Sequence, residues 1–550
     1  MEAPSKKRYW TTLAEYENHP SVEALRMEEF LSKPASFFEA LERGEGGIGL
    51  DRRDFLKLGG VAAVLAAVGC GQRPVEKIIP YVIPPEEVKP GIPNYYAAVC
   101  GACAAGCGVL VKTREARPIK LEGNPDHPLN AGKLCARGQA SILDLYDPDR
   151  ARGPKRKTRS GRWVEARWEE LDEILAQELR ARASRAVLVT GPWHGPARQA
   201  LLREFLAAFP GVRHVVFEPL PEATRRKAQE LAYGEPVLPR YHFDRAEVVV
   251  LLGGDPLGSG YSATEFARGF GLMRKIRDGN MSRVYAFEPV MTLSGSNADY
   301  RYPVRPDDLW KVGLAIAHQL ILKEGRSRFA SDPNVRRALE PFDPARVAAW
   351  TGLPEEVFQK VASDLWAHRG RGLVYAGGLE SETSEALALH LAANLLNSAL
   401  DNEGATVDAG APALVSQGDP AQFLRLIEEM RAGRVEMILF AGVNPLYALP
   451  ADLGLAEALK NVPVKVSLND RIDETTQVCD YLLPGLHYLE AWFDAEPVRG
   501  LMSVSQPTIR PLWDNRAMEE TLIALVDAAG DERFRFVPPA TPENPNPGPT

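Results

Sequence analysis

Of the six cysteines in this 550-residue chain, four fall within one 36-residue window. They read Cys100-Gly-Ala-Cys103-Ala-Ala-Gly-Cys107, followed after 27 residues by Cys135 in Leu134-Cys135-Ala-Arg137-Gly138. This C-x2-C-x3-C-x27-C spacing constrains the chain more than any other feature. Three thiolates on one short loop can converge on one face of a cuboidal iron–sulfur cluster, and a fourth from a later loop can close the cage. The intervening residues are Gly and Ala, which lets backbone amides approach the sulfurs. A four-thiolate zinc site is the competing reading, although such sites usually show two C-x2-C pairs, not a triplet with one distant member. A disulfide framework would be spread through a small secreted domain instead of gathered in one window of a long chain.

The chain is 45% hydrophobic and 25% charged, an ordinary globular composition, and its length allows several cores. Its net charge of −8 provides no basic field for nucleic acid.

Residues 1–50 are polar and mixed and read as a docking arm. Residues 51–70 resemble a twin-arginine export signal: Arg52-Arg53-Asp-Phe55-Leu56-Lys57 precedes an apolar run that ends at Cys70. The run from Leu58 to Gly69 is twelve residues long, short of the roughly 20 that span a bilayer. Ala67-Val68-Gly69-Cys70 also resembles a lipoprotein processing box, which would make Cys70 a lipid anchor. Residues 71–95 are proline-rich and read as an extended connector, and 96–155 as the cluster module, with a hairpin between Cys107 and Cys135. His127 reads as a turn residue within that module.

From about residue 156, buried-strand patterns alternate with helix-length segments, which predicts parallel sheets covered by helices. The strands fall near 185–190, 212–217, 247–252, 283–287, 372–376, 436–440, 464–467 and 480–483. Taken in order they suggest a first α/β lobe over 156–330 and a second over 331–530, with a helical region near 310–370 bridging them. Residues 531–550 read as a disordered tail.

The cysteine string, Glu122-Gly-Asn-Pro-Asp-His-Pro128, Cys135-x-Arg137-Gly and Leu145-Tyr-Asp-Pro-Asp-Arg150 together resemble the N-terminal region of molybdopterin oxidoreductases of the dimethyl-sulfoxide-reductase type. The resemblance implies a 4Fe-4S cluster on Cys100, Cys103, Cys107 and Cys135, with Arg137 placed between cluster and pterin. It also implies two Rossmann-like parallel-sheet lobes behind the module. Gly253-Gly-Asp-Pro256 and Gly442-Val-Asn-Pro445 are similar to the family's nucleotide-edge loops.

Other pieces depart from the family. The stretch His214-Val-Val-Phe-Glu-Pro219, where members place a molybdenum ligand, holds no Cys or Ser, and Glu218 is its one candidate substitute. Cys479 reads as a buried thiol on a late strand, and the family's C-terminal barrel is expected to be absent. The pre-signal Arg8-Tyr-Trp10, Glu76-Lys-Ile-Ile-Pro-Tyr81 and His487-Tyr-Leu-Glu-Ala-Trp492 look like the large iron–sulfur subunit of alternative complex III. That likeness implies an electron-transfer and scaffold role without molybdenum bis-pterin, on the periplasmic face of the inner membrane. Implied partners are a ferredoxin-like iron–sulfur subunit, a multi-span quinone-binding membrane subunit and a cytochrome subunit.

Overall fold

A computed structural model describes residues 88–276 and 279–530. The docking arm, the signal-like segment with Cys70, most of the connector and the C-terminal tail lie outside the described residues.

The cluster module is a three-stranded antiparallel sheet of Asn94–Val99, Gly108–Arg114 and Arg117–Gly123. The last two strands form the expected hairpin. Val109, Val111 and Leu121 alternate inward and are fully buried, which fixes the face that turns toward the rest of the protein.

Two helix-covered sheets follow. The larger runs in the order Trp163–Glu165, Lys155–Lys157, Tyr481–Leu482, Val464–Ser467, Met437–Ala441, Ala186–Thr190, Arg213–Val216. Its last five strands are parallel. The smaller is Tyr300–Pro303, Arg283–Glu288, Val248–Leu252, Gly372–Ala376, parallel throughout. Central strands such as Ala186–Thr190 and Val248–Leu252 are buried along their whole length, as continuous apolar runs must be when both sheet faces are covered.

The eight lobe strands read from the sequence are present, but the division at residue 330 is not. Ala186–Thr190 pairs with Met437–Ala441, whereas Gly372–Ala376 pairs with Val248–Leu252. The chain therefore begins the larger lobe, builds the smaller one, and returns to finish the larger. Apolar periodicity identifies a strand without naming its neighbour, and the neighbour is chosen by the faces that fit. On one face of the larger sheet, Leu171, Leu175 and Leu179 of helix Trp168–Arg182 meet Leu522, Leu525 and Val526 of helix Met518–Ala528. This joins an early helix of the larger lobe to the last helix of the described chain. The helical region near 310–370 is likewise no bridge: Leu309, Val312, Ile316, Phe358 and Val361 pack on the smaller sheet through Val248, Val250 and Leu252.

A fourth sheet, absent from the sequence reading, runs Leu501–Ser505, Phe493–Val498, Val407–Ala413, Leu238–Tyr241. It meets the cluster module where Val99 N–H donates to Ser505 Oγ at 3.2 Å. No helix among the described residues is long and apolar enough to cross a membrane.

Candidate iron–sulfur site and strand-end loops

Cys100 follows strand Asn94–Val99 directly, and Cys107 directly precedes Gly108–Arg114. Cys100 N–H donates to Cys107 O at 2.8 Å, closing the loop between them. Cys135 is the N-cap of helix Ala136–Ala140, its sulfur accepting from Gly138 N–H at 3.4 Å. A Cβ built on Gly138 would stand 3.5 Å from Cys100 Sγ, so this helix start lies against the cysteine loop. The structure thus brings Cys100, Cys103, Cys107 and Cys135 into one electrostatic neighbourhood. Cys100 and Cys107 are buried, Cys103 and Cys135 are exposed, and all four are free thiols.

Burial pushes the Cys100 thiol up to about 11 and the Cys107 thiol up to about 12, and neighbouring thiolates of the set add to both shifts. A buried set of thiols that resists ionisation by itself becomes a thiolate set when a cation supplies the missing charge. Among the described residues no three Cys, His, Asp or Glu side chains close on one point as ligands of a single ion do. A cluster instead holds its thiolates around the outside of a cage. The donor chemistry and the Gly/Ala loop therefore fit an iron–sulfur cluster.

Distant elements wall the loop. Tyr488 covers Gly101 so closely that a Cβ there would lie 2.7 Å from its ring, so only glycine fits at that position. Burial holds the Tyr488 phenol well above its ordinary range, keeping it a hydrogen-bond donor; its oxygen is 2.6 Å from Ser141 Oγ, and it stands beside the Cys100 thiol. Thr264, on helix Ala263–Met273 of the smaller lobe, lies beside the Cys107 thiol. His194 accepts from Glu496 N–H at Nδ1, 3.0 Å, which leaves Nε2 protonated to donate to Ala104 O at 2.7 Å. His487 is pushed down to about 4 by burial and by Arg150, and its Nε2 lies 3.2 Å from Ser141 O.

Sequence reasoning missed His194 and Thr264, and named Tyr488 only within a family-like run. A Trp193-His194-Gly195 turn just after a buried strand was the available signal for the first. His127 is a turn residue whose Nε2 meets Ser503 Oγ at 3.0 Å. Arg137 is exposed on the helix that Cys135 caps.

The strand-end loops are different. Asp255 Oδ1 accepts from Ser294 N–H at 2.9 Å, Ser294 Oγ–H at 2.5 Å and Gly258 N–H at 3.2 Å. Glu288 accepts from Thr292 N–H and Oγ1–H and from Arg301. Asn469 Oδ1 takes the amides of Gly442 and Val443, at 2.9 and 3.2 Å. At the N-terminus of helix Pro196–Ala208, the Asp494 carboxylate accepts from Ala197 N–H at 2.6 Å and Arg198 N–H at 3.3 Å. Glu218 accepts from Ser416 Oγ–H at 3.0 Å, Gln417 N–H at 2.7 Å and Gly418 N–H. Cys479 is fully buried, and its thiol donates to Thr475 O at 3.2 Å.

Residues 94–147 match the molybdopterin oxidoreductase Fe4S4 domain. Over 503 residues the chain is 28% identical to the menaquinone reductase, molybdopterin-binding-like subunit of Nitratidesulfovibrio vulgaris, covering 86% of this chain and 72% of that one. It is 20% identical over 596 residues to the arsenate respiratory reductase molybdopterin-containing subunit of a Shewanella species, covering 90% and 68%. The fold is similar to that of acetylene hydratase from Pelobacter acetylenicus, with a TM-score of 0.65 at 15% identity over 80% of this chain and 70% of that one. With the Fe4S4 domain at its head and α/β lobes of this fold behind it, the chain is a member of the molybdopterin oxidoreductase superfamily.

Proposed function

We propose that the chain is an electron-transfer and scaffold subunit of a membrane-bound, quinone-linked oxidoreductase, with one 4Fe-4S cluster on Cys100, Cys103, Cys107 and Cys135 as its redox group. When bound, the cluster supplies one-electron oxidation and reduction. The Gly138 amide donates to the Cys135 sulfur at 3.4 Å, and the Tyr488 phenol stands beside Cys100. The amide favours the reduced cluster by stabilising negative charge on sulfur. Tyr488 and Thr264 also cover Cys100 and Cys107, which leaves the Cys103 and Cys135 side as the open edge for electron exchange.

The observation that carries the reading is the state of the strand-end loops. The positions that offer backbone amides to ligand phosphates in open α/β sheets are taken here by the chain's own Asp255, Glu288, Asp494, Glu218 and Asn469. A dinucleotide would have to displace carboxylates that already satisfy those donors. Glu218, the candidate metal ligand, is engaged by three donors from the 416–418 loop. In this reading the occupied loops leave no place for a molybdenum bis-pterin cofactor, and the electron path ends at the cluster.

The partners in this reading are a ferredoxin-like subunit, a multi-span quinone-binding subunit and a cytochrome subunit, on the periplasmic face after twin-arginine export. The name of the menaquinone reductase relative supports the quinone link. Metal analysis of the purified chain tests it: about four irons per chain with a cluster EPR signal and no molybdenum is expected. Stoichiometric molybdenum would overturn the reading in favour of a catalytic subunit.

A further inference from the structure

Beside Cys135 lies a cavity of about 740 Å3, between the 131–135 loop of the cluster module and helix Ala263–Met273 of the smaller lobe. Leu134, Leu257 and Leu272 give it an apolar floor. Lys133, Arg268 and Lys275 stand around it, and no carboxylate lines it. Lys133 and Lys275 are exposed and Arg268 is half-buried.

Neighbouring cations behave otherwise. Arg274 makes a two-pronged pair with Asp299, at 2.6 and 2.8 Å, and Arg240 is paired with Glu265. The helix is therefore neutralised on the sides that face protein and left cationic where it faces the cavity. Against a chain of net charge −8, a carboxylate-free cluster of three cations is a local reversal of sign. The wall of this cavity includes the exposed ligand residue Cys135, and Thr264, which lies beside Cys107, lines it as well.

We propose that this cavity is the docking site for an acidic, apolar-tipped loop of the protein that exchanges electrons with the cluster. The proposal rests on the cluster assignment above and adds the route of exchange. The partner's carboxylates would lie among Lys133, Arg268 and Lys275, and its apolar tip over Leu134 and Leu272. The electron would then pass at the Cys135 edge, in one step that oxidises the donor's centre and reduces the acceptor's. Charge-steered association through so small a contact suits a transient redox encounter. It is strongly weakened by salt, because exposed charges are screened beyond about 8 Å at physiological ionic strength.

The test uses the full iron-loaded chain and a reduced acidic plant-type ferredoxin as probe, following cluster reduction by stopped flow at low and high salt. Photoreduced deazariboflavin, a small uncharged donor, reports whether the cluster is intact. In the combined variant Lys133→Glu, Arg268→Glu, Lys275→Glu, the ferredoxin rate at low salt should fall at least tenfold and lose its salt dependence, with the deazariboflavin rate and iron content unchanged.

Equal ferredoxin rates in the variant and the original chain would overturn the docking proposal while leaving the cluster assignment standing. Saturable binding of inorganic phosphate, lost in the variant while the ferredoxin rate holds, would assign the cavity to a small anion and overturn it too. An original chain that carries no iron would remove the cluster assignment, and the docking proposal with it. Should the triple variant lose iron, the single variant Lys275→Glu, on the exposed helix end, is measured in its place: a threefold or greater fall supports docking and an unchanged rate overturns it.

Discussion

The cysteine loop and the strand-end loops are both built from glycines at the edges of sheets, yet they leave opposite things undone. At the strand ends, amides that could receive an anion already meet Asp255, Glu288, Asp494, Glu218 or Asn469. At the cysteine loop, two buried thiols sit close to two exposed ones, and the thiols raise one another's values. One region is electrostatically complete, and the other becomes complete only when something positive arrives. Within one fold, a ligand site is recognised by what remains unpaired.

The largest effect expected from breaking this contrast comes from Cys107→Ser or Cys100→Ser. Either should abolish the cluster EPR signal and reduce iron to a small fraction, because a buried hydroxyl is no substitute for a thiolate. Arg150→Ala should come next. Arg150 and Glu490 form a fully buried pair at 2.6 Å that ties the end of the cluster module to the segment carrying His487 and Tyr488. Breaking it leaves an unpaired buried charge and should cost roughly 3–5 kcal/mol in denaturant unfolding.

Removing the iron sharpens the comparison through pH. The Cys100 and Cys107 thiols lie at about 11 and about 12 in the folded chain, against an ordinary 9.0. Their folded values are raised, so the iron-free chain keeps its full stability below pH 9 and loses it as pH rises toward 11 to 12. The loss is about 1.4 kcal/mol per pH unit for each thiol. In the iron-loaded chain the same groups are already thiolates, and melting temperature between pH 8.5 and 10.5 should be flatter; parallel curves would contradict the assignment.

Asp255→Ala should cost about 1–3 kcal/mol by stranding the Ser294 amide and hydroxyl, with iron content unchanged. Loss of iron in that variant would show that the two regions are not independent. The smallest effect is expected from Tyr488→Phe: about 1 kcal/mol of stability from the lost bond to Ser141, and a lower cluster potential, read by redox titration, because a polar hydroxyl beside the cluster is gone.

The central strands of the two parallel sheets were legible in the sequence as short apolar runs, within about a residue of where they lie, because complete burial demands apolar residues at every position. Their partners were not, since Val248–Leu252 carries nothing in its own five residues that selects Gly372–Ala376. The same limit applies at the site. The thiols announce themselves by spacing, whereas His194 reaches Ala104 across 90 residues and Tyr488 reaches Ser141 across 347. Only the tertiary fold makes them neighbours. The carboxylates that occupy the strand ends were illegible for the same reason: Asp494 caps a helix 296 residues earlier in the chain.

The return of the chain to its first lobe has a consequence for synthesis. The cysteine loop is translated early, but its cover, Tyr488, and the strand that braces it through Ser505 are made near the end. A nascent chain therefore presents four uncovered thiols to the cytoplasm for most of its time on the ribosome. Iron insertion can precede closure, and closure then seals whatever the loop has acquired. A chain released before Tyr488 should hold iron weakly and lose it to a chelator, whereas the finished chain should not.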